Sequence, residues 1–250
     1  MSVAASAAVS TPWTILEDAL RLANDPRTSR VAVVLHGGPG AGKSWVRERM
    51  DFAPGELAVV IDSDVEKKTL ARHDGESDSS YHARARDASR ERMEWAIARG
   101  APLYIEGLSH DPRRTILVLT ALRDAGYHVV MVGLECSPDV AGARLRAREE
   151  SDLRSEPQIR TVASEIVRDA YLWIPRSWTR LRQLIDELYL FDTSGDEPVP
   201  CEPIANLAPI DPPKSLREAL GSMLPKPYAE LADLAVRLSH AVGASGRSTR

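Results

Sequence analysis

Short apolar runs alternate along the chain with longer segments in which apolar residues recur at the spacing of a helix. Apolar runs of about four to eight residues are typical of strands that are buried on both faces of a sheet. The predicted strands are residues 31–36, 57–61, 102–105, 128–134 and 188–192. Because strands alternate with helices, we predict an α/β fold: a parallel five-stranded sheet whose right-handed crossovers place helices on both faces.

The segments around these strands predict the helices. They span residues 12–23, 43 to about 50, 81–99, 113–125, 138–148, about 161–173 and 176–185. Two polar segments, 73–80 and 149–157, are predicted as loops. After the last strand, two short amphipathic helices are predicted at about 214–220 and 227–240, followed by a polar tail from residue 243.

Composition shifts divide the 250 residues into three predicted parts. Residues 1–29 hold an Ala/Ser-rich start and a packing helix, and residues 30–196 form the α/β domain. Residues 197–250 begin with a connector, 198–213, that holds six of the 17 prolines and is predicted to be irregular. The small C-terminal helical extension and the tail complete this part.

Charge and cysteine content narrow the function classes. The net charge of -4 gives no general attraction to nucleic acid, whereas 27 arginines against 5 lysines suit forked recognition of phosphates; a GC-rich genome would give the same bias. Cys136 and Cys201 have no zinc or redox spacing, so free thiols in a reducing cytoplasm are expected. The start lacks the regions of a signal peptide, and no apolar run approaches the ~20 residues of a membrane span. We therefore expect a cytoplasmic protein without a membrane partner.

A glycine-rich segment follows the first strand and opens into a helix. It reads GGPGAGKS and fits the pattern G-x-x-x-x-G-K-[ST] of a phosphate loop, or P-loop. Its nucleotide-binding residues are Gly37, Gly38, Pro39, Gly40, Ala41, Gly42, Lys43 and Ser44. Glycines let backbone N–H groups surround a phosphate, and the helix N-terminus faces the same anion. The segment predicts ATP as cofactor, with Lys43 on the β- and γ-phosphates and the Ser44 hydroxyl as a ligand of Mg2+.

Carboxylates follow two other predicted strands. Asp62 and Asp64 come after the second strand and Glu106 after the third, and the carboxyl ends of parallel strands share one edge of the sheet. Such a carboxylate can accept the proton of an attacking hydroxyl, orient it or bind magnesium. If the chain stays extended, only one of the pair can face the phosphate, and Asp64 is favoured. Alternatively, one of the pair caps a following helix, and Glu106 is solvated at the rim.

Arginines are concentrated after the fourth strand, where they are interleaved with acidic residues. They are Arg144, Arg146, Arg148, Arg154 and Arg160. Arginines on a lid stabilise the charge of a transferring phosphoryl group, but the same pattern suits a solvated helix face. We expect one or two of them in the site. No aromatic residue lies among them, so a base-stacking nucleic-acid surface is not indicated. His36, just before the glycines, is predicted to be packed rather than catalytic.

Taken together, these segments resemble the zeta toxin family of P-loop kinases. The likeness covers about residues 30–195 and includes LHGGPGAGKS at 35–44, VIDSD at 60–64 followed by Lys67, YIEG at 104–107, AGYHVVMVGLECSP at 125–138, RLRARE at 144–149 and LYLFDTSG at 188–195. The resemblance implies ATP-dependent phosphorylation of a UDP-sugar, typically UDP-N-acetylglucosamine at its 3'-hydroxyl. It also implies an antitoxin protein as a partner.

The resemblance assigns roles by motif. Asp64 would be the base, Asp62, Lys67 and Glu106 would bind the substrate, and Arg148 would be the first lid arginine. The second lid arginine falls on either Arg154 or Arg160. Leu108 replaces the threonine that often follows the Ile-Glu-Gly motif, a departure on the acceptor side. Alternatives are a polynucleotide 5'-hydroxyl kinase, an antibiotic kinase or a nucleotide-binding module without catalysis.

Overall fold

The computed structural model describes residues 11–23, 30–107, 112–155, 164–202 and 229–245. Within these residues, six strands form one sheet with the order β2-β3-β1-β4-β5-β6. The strands are β1 Val31–Gly37, β2 Val59–Ile61, β3 Leu103–Glu106, β4 His128–Glu135, β5 Glu187–Asp192 and β6 Val199–Pro200. The first five are parallel to one another, whereas β6 runs antiparallel to β5. The predicted α/β fold with five parallel strands is confirmed, and a sixth strand is added at one edge.

Two strand predictions need correction. The second strand begins only at Val59, because a 3-10 turn at Pro54–Glu56 uses the amides of residues 57 and 58. The connector is not irregular throughout, since Val199 and Pro200 pair with Asp192 and Phe191. Proline lacks an N–H donor and is tolerated in an edge strand such as this one. Residues 203–213 of the connector lie outside the described residues.

Eight helices are described in these ranges. They are α1 Pro12–Ala23, α2 Lys43–Arg47, α3 Ser63–Thr69, α4 Asp78–Arg99, α5 Pro112–Asp124, α6 Pro138–Ser155, α7 Ser164–Leu181 and α8 Ala229–Ser245. A 3-10 turn, Arg182–Leu184, follows α7. The prediction for residues 12–23 is confirmed at both ends, and the predicted helix at 214–220 lies outside the described residues. Within the described ranges, every helix is too short or too polar to cross a lipid bilayer.

Several helix boundaries were predicted wrongly. Helix α2 is shorter than predicted because the amides of residues 49 and 50 bond three residues back, which tightens the end of the helix. No bounds were predicted for helix α3, which entered only as the helix that Asp62 or Asp64 caps in the alternative interpretation. Helix α6 continues through 149–155, which was predicted as a loop because the segment is polar and charged. Its Arg and Glu residues are good helix formers, so the helix is not interrupted there. Helix α7 is continuous across Pro175, α4 begins at Asp78 within the predicted loop, and α8 extends into the predicted tail.

The two faces of the sheet bury separate apolar cores. Side chains of β1 alternate between them: Val33 and Leu35 face the side of α1 and α2, whereas Ala32 and Val34 face the side of α4, α5, α7 and α8. Both faces are therefore covered by helices, as predicted. The strand order places β3 and β4 on either side of β1, so the loop after β1 lies between the ends of its neighbours.

Helix α8 packs in the same core as the sheet. Leu234, Ala235 and Leu238 are buried there, and the Arg237 Nε lies 2.7 Å from Glu94 Oε1 on α4. At the end of α8, the Arg30 Nη2 donates to the Ser245 carbonyl at 3.1 Å. The C-terminal helix is thus anchored by apolar burial and by two arginines.

We expect Leu238→Ala to lower the free energy of unfolding by about 2–5 kcal/mol, because it removes a fully buried side chain and leaves a cavity. The control is Val236→Ala in the same helix, since Val236 is 49% exposed and its loss should change little. Urea titration followed by circular dichroism measures both. Equal effects of the two substitutions would contradict the placement of α8 in the core.

Candidate active site

The loop between β1 and α2 has the geometry of a phosphate cradle. Gly40 and Gly42 have φ values of +78° and +90°, a region that side chains disfavour. A Cβ atom on Gly40 would lie 2.7 Å from the Ala141 carbonyl oxygen of α6. Both glycines are therefore required by the backbone, which supports the interpretation of the motif as a structural unit.

Neighbouring elements bind the carbonyl groups of this loop. The Tyr171 hydroxyl of α7 donates to the Pro39 carbonyl at 2.8 Å, and the Thr193 hydroxyl after β5 donates to the Ala41 carbonyl at 2.9 Å. Arg144 of α6 donates to the Gly40 carbonyl at 3.4 Å and to the Thr193 carbonyl at 2.6 Å. These contacts direct negative dipoles away from the centre of the loop. The first amides of α2 have no intrahelical acceptors, so the loop is suited to an anion.

The side chain of Lys43 folds back onto the first two glycines of the loop. Its Nζ donates to the Gly37 carbonyl at 2.7 Å and to the Gly38 carbonyl at 3.1 Å. Both carbonyls are neutral acceptors, so a phosphate oxygen can replace them as a stronger, charged partner. The ammonium is thus held at the mouth of the cradle.

The charged groups around Lys43 mark out the site. Burial lowers the pKa of Lys43, while Glu106, Asp62 and Asp64 raise it and Arg148 lowers it further. Contacts show the same grouping: Arg47 Nη1, one turn after Lys43 in α2, lies 3.3 Å from Asp62 Oδ2 and 3.1 Å from Glu106 Oε2, so the start of α2, the ends of β2 and β3 and the start of α3 share one rim. The structure thereby brings together the phosphate loop and the three carboxylates that the sequence had placed at strand ends.

Asp62 and Asp64 have different surroundings. The condition of an extended chain does not hold here, because α3 begins at Ser63, directly after Asp62. Asp62 caps this helix: its Oδ1 accepts from the Asp64 amide at 2.8 Å, and its Oδ2 accepts from Arg47 Nη1 at 3.3 Å. The side chain of Asp64 is 46% exposed in the first turn of α3 and lies 3.4 Å from Lys67 Nζ. The capping alternative is therefore confirmed for Asp62, and Asp64 faces the rim.

Glu106 is enclosed rather than solvated. Its side chain is 8% exposed, and its Oε2 accepts from Arg47 Nη1 at 3.1 Å and from the Tyr104 hydroxyl at 3.3 Å. Burial raises the pKa of Glu106, an effect that Lys43 and Arg47 oppose and Asp62 reinforces. A carboxylate held in this way can orient a hydroxyl group that enters beside it.

The arginines of α6 and the following segment divide into separate groups. Arg144 binds loop carbonyls and so acts in the structure of the loop. Arg148 is exposed and acts on Lys43 across the rim. Arg154 lies near the end of α6, and Arg160 lies outside the described residues. Their assignment as the second lid arginine remains a prediction.

His36 is a packed residue, as predicted. It is 2% exposed, and its ring meets that of Trp178 edge to face with 5.0 Å between centroids. Burial, together with the charge of Lys43, lowers the pKa of His36 to about 3. The imidazole is therefore neutral at physiological pH and packs against α7.

Sequence reasoning missed Arg47 and Tyr171. Arg47 follows Lys43 by four residues, a spacing that places both on one face of a helix, so the signal was available. Tyr171 belongs to α7 and reaches a loop residue 132 positions earlier in the chain. Nothing in the local sequence indicates that contact.

The residues at the cradle suit a magnesium ion that arrives with a nucleotide. Ser44 is exposed in the first turn of α2, beside the loop amides. Among the described residues, no group of three or more His, Cys, Asp or Glu is arranged to hold a metal ion. Mg2+ commonly keeps several waters and uses substrate phosphates with one or two protein oxygens. The Ser44 hydroxyl can supply such an oxygen.

Comparisons with known proteins concern the family and the fold. Residues 33–169 match the family model described as an AAA domain. No curated protein matches the sequence. One similar solved structure comes from the PezAT chromosomal toxin-antitoxin system of Streptococcus pneumoniae, with 16% identity, a TM-score of 0.52 and coverage of 92% of this chain and 94% of that chain.

Two further similar structures are complexes of AvrRxo1-ORF1 with AvrRxo1-ORF2. One contains sulphate ions and has 12% identity and a TM-score of 0.54, and the other contains ATP and has 13% identity and a TM-score of 0.51. Each match covers 94% of this chain and 84% of the chain in the similar structure. At these identities the likeness concerns the fold alone.

Proposed function

This chain belongs to the AAA domain family and has a P-loop kinase fold, and on that premise we propose that it is an ATP- and magnesium-dependent phosphotransferase. It transfers the γ-phosphoryl group to a hydroxyl of a small acceptor, of which a UDP-sugar such as UDP-N-acetylglucosamine is the leading candidate. One observation carries the proposal: Arg47 Nη1, one turn after Lys43 in α2, lies 3.3 Å from Asp62 Oδ2 and 3.1 Å from Glu106 Oε2, and Asp64 follows in the first turn of α3.

On the donor side, the loop amides bind the phosphates of ATP. Lys43 exchanges the Gly37 and Gly38 carbonyls for oxygens of the β- and γ-phosphates, and the Ser44 hydroxyl holds the magnesium ion. Bound Mg2+ supplies positive charge that neutralises the phosphate oxygens. Arg148 carries a positive charge whose effect on the pKa of Lys43 is opposite to that of the carboxylates. This charge adds to the stabilisation of the transferring group.

On the acceptor side, Asp64 accepts the proton of the acceptor hydroxyl. The hydroxyl oxygen forms a bond to the γ-phosphorus while the bond from that phosphorus to the bridging oxygen of ADP breaks, and Asp64 then releases the proton to solvent. Glu106 and Lys67 bind the acceptor, and Asp62 fixes the start of the helix that carries Asp64. The surroundings support this division, because Asp62 is engaged in capping while Asp64 is exposed at the rim.

The choice of a UDP-sugar is supported by the sequence resemblance to zeta toxins between residues 30 and 195. A protein antitoxin is proposed as partner on the same ground, and the similar structure from the PezAT toxin-antitoxin system is in keeping with it. Within the described part of the chain, Cys136 and Cys201 are free thiols, which suits the proposed cytoplasmic location.

Incubation with γ-labelled ATP and a panel of acceptors tests the proposal. The panel contains UDP-N-acetylglucosamine, other sugar nucleotides, nucleosides, an aminoglycoside and RNA with a 5'-hydroxyl end. We expect magnesium-dependent transfer of label to UDP-N-acetylglucosamine. Label on RNA ends that declines with salt would instead indicate a polynucleotide kinase. ATP binding without transfer to any acceptor would indicate a nucleotide-binding module.

A further inference from the structure

Arg47 connects the phosphate loop with the acceptor side of the site, although the proposed transfer assigns it no role. It lies one turn after Lys43 on the same face of α2. Its Nη1 is 3.3 Å from Asp62 Oδ2 and 3.1 Å from Glu106 Oε2. A single guanidinium group therefore joins the helix that follows the loop to the ends of β2 and β3.

The two carboxylates need this partner. The side chains of Asp62 and Glu106 are 9% and 8% exposed, and buried carboxylates are costly unless a positive charge and hydrogen bonds compensate them. Arg47 supplies a positive charge in direct contact with both, Lys43 adds a second positive charge that acts on Glu106, and Tyr104 adds a hydrogen bond to the same Glu106 oxygen at 3.3 Å. Their orientation is set by these contacts rather than by solvent.

The effect reaches Asp64 through Asp62. While Asp62 Oδ2 accepts from Arg47, Asp62 Oδ1 accepts from the amide of Asp64 in the first turn of α3. A rotation of the Asp62 carboxylate would therefore disturb the cap and the turn that carries Asp64. The described contacts of Arg47 run to acceptor-side carboxylates, not to the loop that binds the nucleotide.

We propose that Arg47 is a positioning residue: it fixes Asp62 and Glu106 beside the phosphate loop and, through Asp62, sets the place of Asp64 relative to the nucleotide. This inference rests on the proposed function, since it concerns the same site. It predicts that loss of Arg47 impairs use of the acceptor and leaves ATP binding nearly unchanged.

The protonation of Glu106 provides a measurement that would stay unchanged if the role of Arg47 were purely structural. The groups that act on this carboxyl are Lys43 and Arg47 from α2, Asp62 from the end of β2 and Tyr104 from β3. Burial raises the pKa of Glu106, and Arg47 is one of the two cations that oppose this rise. Without Arg47 the carboxyl keeps its proton to higher pH. The acidic limb of the pH-rate profile should therefore move to higher pH.

The experiment compares Arg47→Gln and Arg47→Lys with Arg49→Gln. Arg49 is a matched control, because it lies two residues further on, is exposed and stacks on Trp45 with 3.7 Å to the ring centroid. For Arg47→Gln we expect a rise of about tenfold to a hundredfold in KM for UDP-N-acetylglucosamine, and an unchanged Kd for ATP. Arg47→Lys should keep the acidic limb in place but still raise KM, since lysine lacks the planar fork.

The titration of Glu106 is also followed by carboxyl NMR in protein without acceptor, with the signal assigned by Glu106→Gln. A Glu106 midpoint in Arg47→Gln equal to that of the unmodified protein overturns the proposal, as does an equal rise in KM in Arg49→Gln. If UDP-N-acetylglucosamine is not phosphorylated, the proposed acceptor fails, but the Glu106 titration still decides on Arg47. If Arg47→Gln is unfolded, the test relies on Arg47→Lys. An unchanged KM in that variant would contradict the role of the planar guanidinium group.

Discussion

Lys43→Ala is expected to lower kcat/KM for phosphoryl transfer by about a hundredfold to a thousandfold and to weaken ATP binding as well. The size follows from the loss of one preorganised positive group at the transferring phosphate. Lys43 differs from a surface lysine because two loop carbonyls hold its ammonium and the charges of three carboxylates raise its pKa against the effect of burial. Steady-state kinetics and calorimetric titration with ATP measure the two effects.

The control for this prediction is Lys68→Ala, which removes an exposed lysine from the nearby helix α3. It should leave both kcat/KM and ATP affinity unchanged. Burial of the Lys43 ammonium costs free energy, as its lowered pKa indicates. Thermal melting of Lys43→Ala should consequently show no large loss of stability. Unchanged kinetics in this variant would contradict the assignment of the phosphate loop.

Much of the fold could be predicted because its signals are local. The run that forms β1 is continuous and apolar, and glycines end it where the loop begins. Helix α3 could not be predicted in this way, since its seven residues, SDVEKKT, include a single strongly apolar side chain and show no helical period. Its N-cap, Asp62, is the one local signal, and an aspartate after a strand suits a catalytic role equally well.

Pro175 shows how tertiary packing can override a local rule. Proline removes a helical hydrogen bond and commonly interrupts a helix, and it lies between the two segments, about 161–173 and 176–185, that were predicted where α7 is continuous. The residues around it, Ile174, Trp178 and Leu181, are buried against the sheet and its helices. Their burial holds the helix together across the proline. This contribution depends on the assembled core and is not visible in the local sequence.

The sequence was enough to predict which edge of the sheet carries the site, but not which side chains contact each other there. Because parallel strands end at one edge, the order of strands and helices along the chain is enough to place Asp62, Asp64 and Glu106 near the phosphate loop. The pairing of two of them with Arg47 depends on side-chain geometry across three elements. The same holds for Tyr171, whose hydroxyl supports the loop from α7.

The structure distinguishes the two aspartates that could act as the general base. This difference leads to a direct test of the proposed chemistry. Asp62 caps α3 and binds Arg47, so its carboxylate is already engaged, whereas Asp64 is 46% exposed at the rim beside Lys67. A general base must reach the acceptor hydroxyl, and the exposed group is better placed to do so.

Asp64→Asn is therefore expected to lower kcat by about a hundredfold to ten-thousandfold, because the amide cannot accept the proton of the acceptor. ATP affinity should stay nearly intact, since the loop amides and Lys43 bind the phosphates. Asp87→Asn, which changes an exposed aspartate of α4 in the same way, should leave both quantities unchanged. Single-turnover kinetics separates the transfer step from binding. Because asparagine is also a good helix cap, Asp62→Asn should preserve α3, so a greater loss of kcat in Asp62→Asn than in Asp64→Asn would transfer the base role to Asp62.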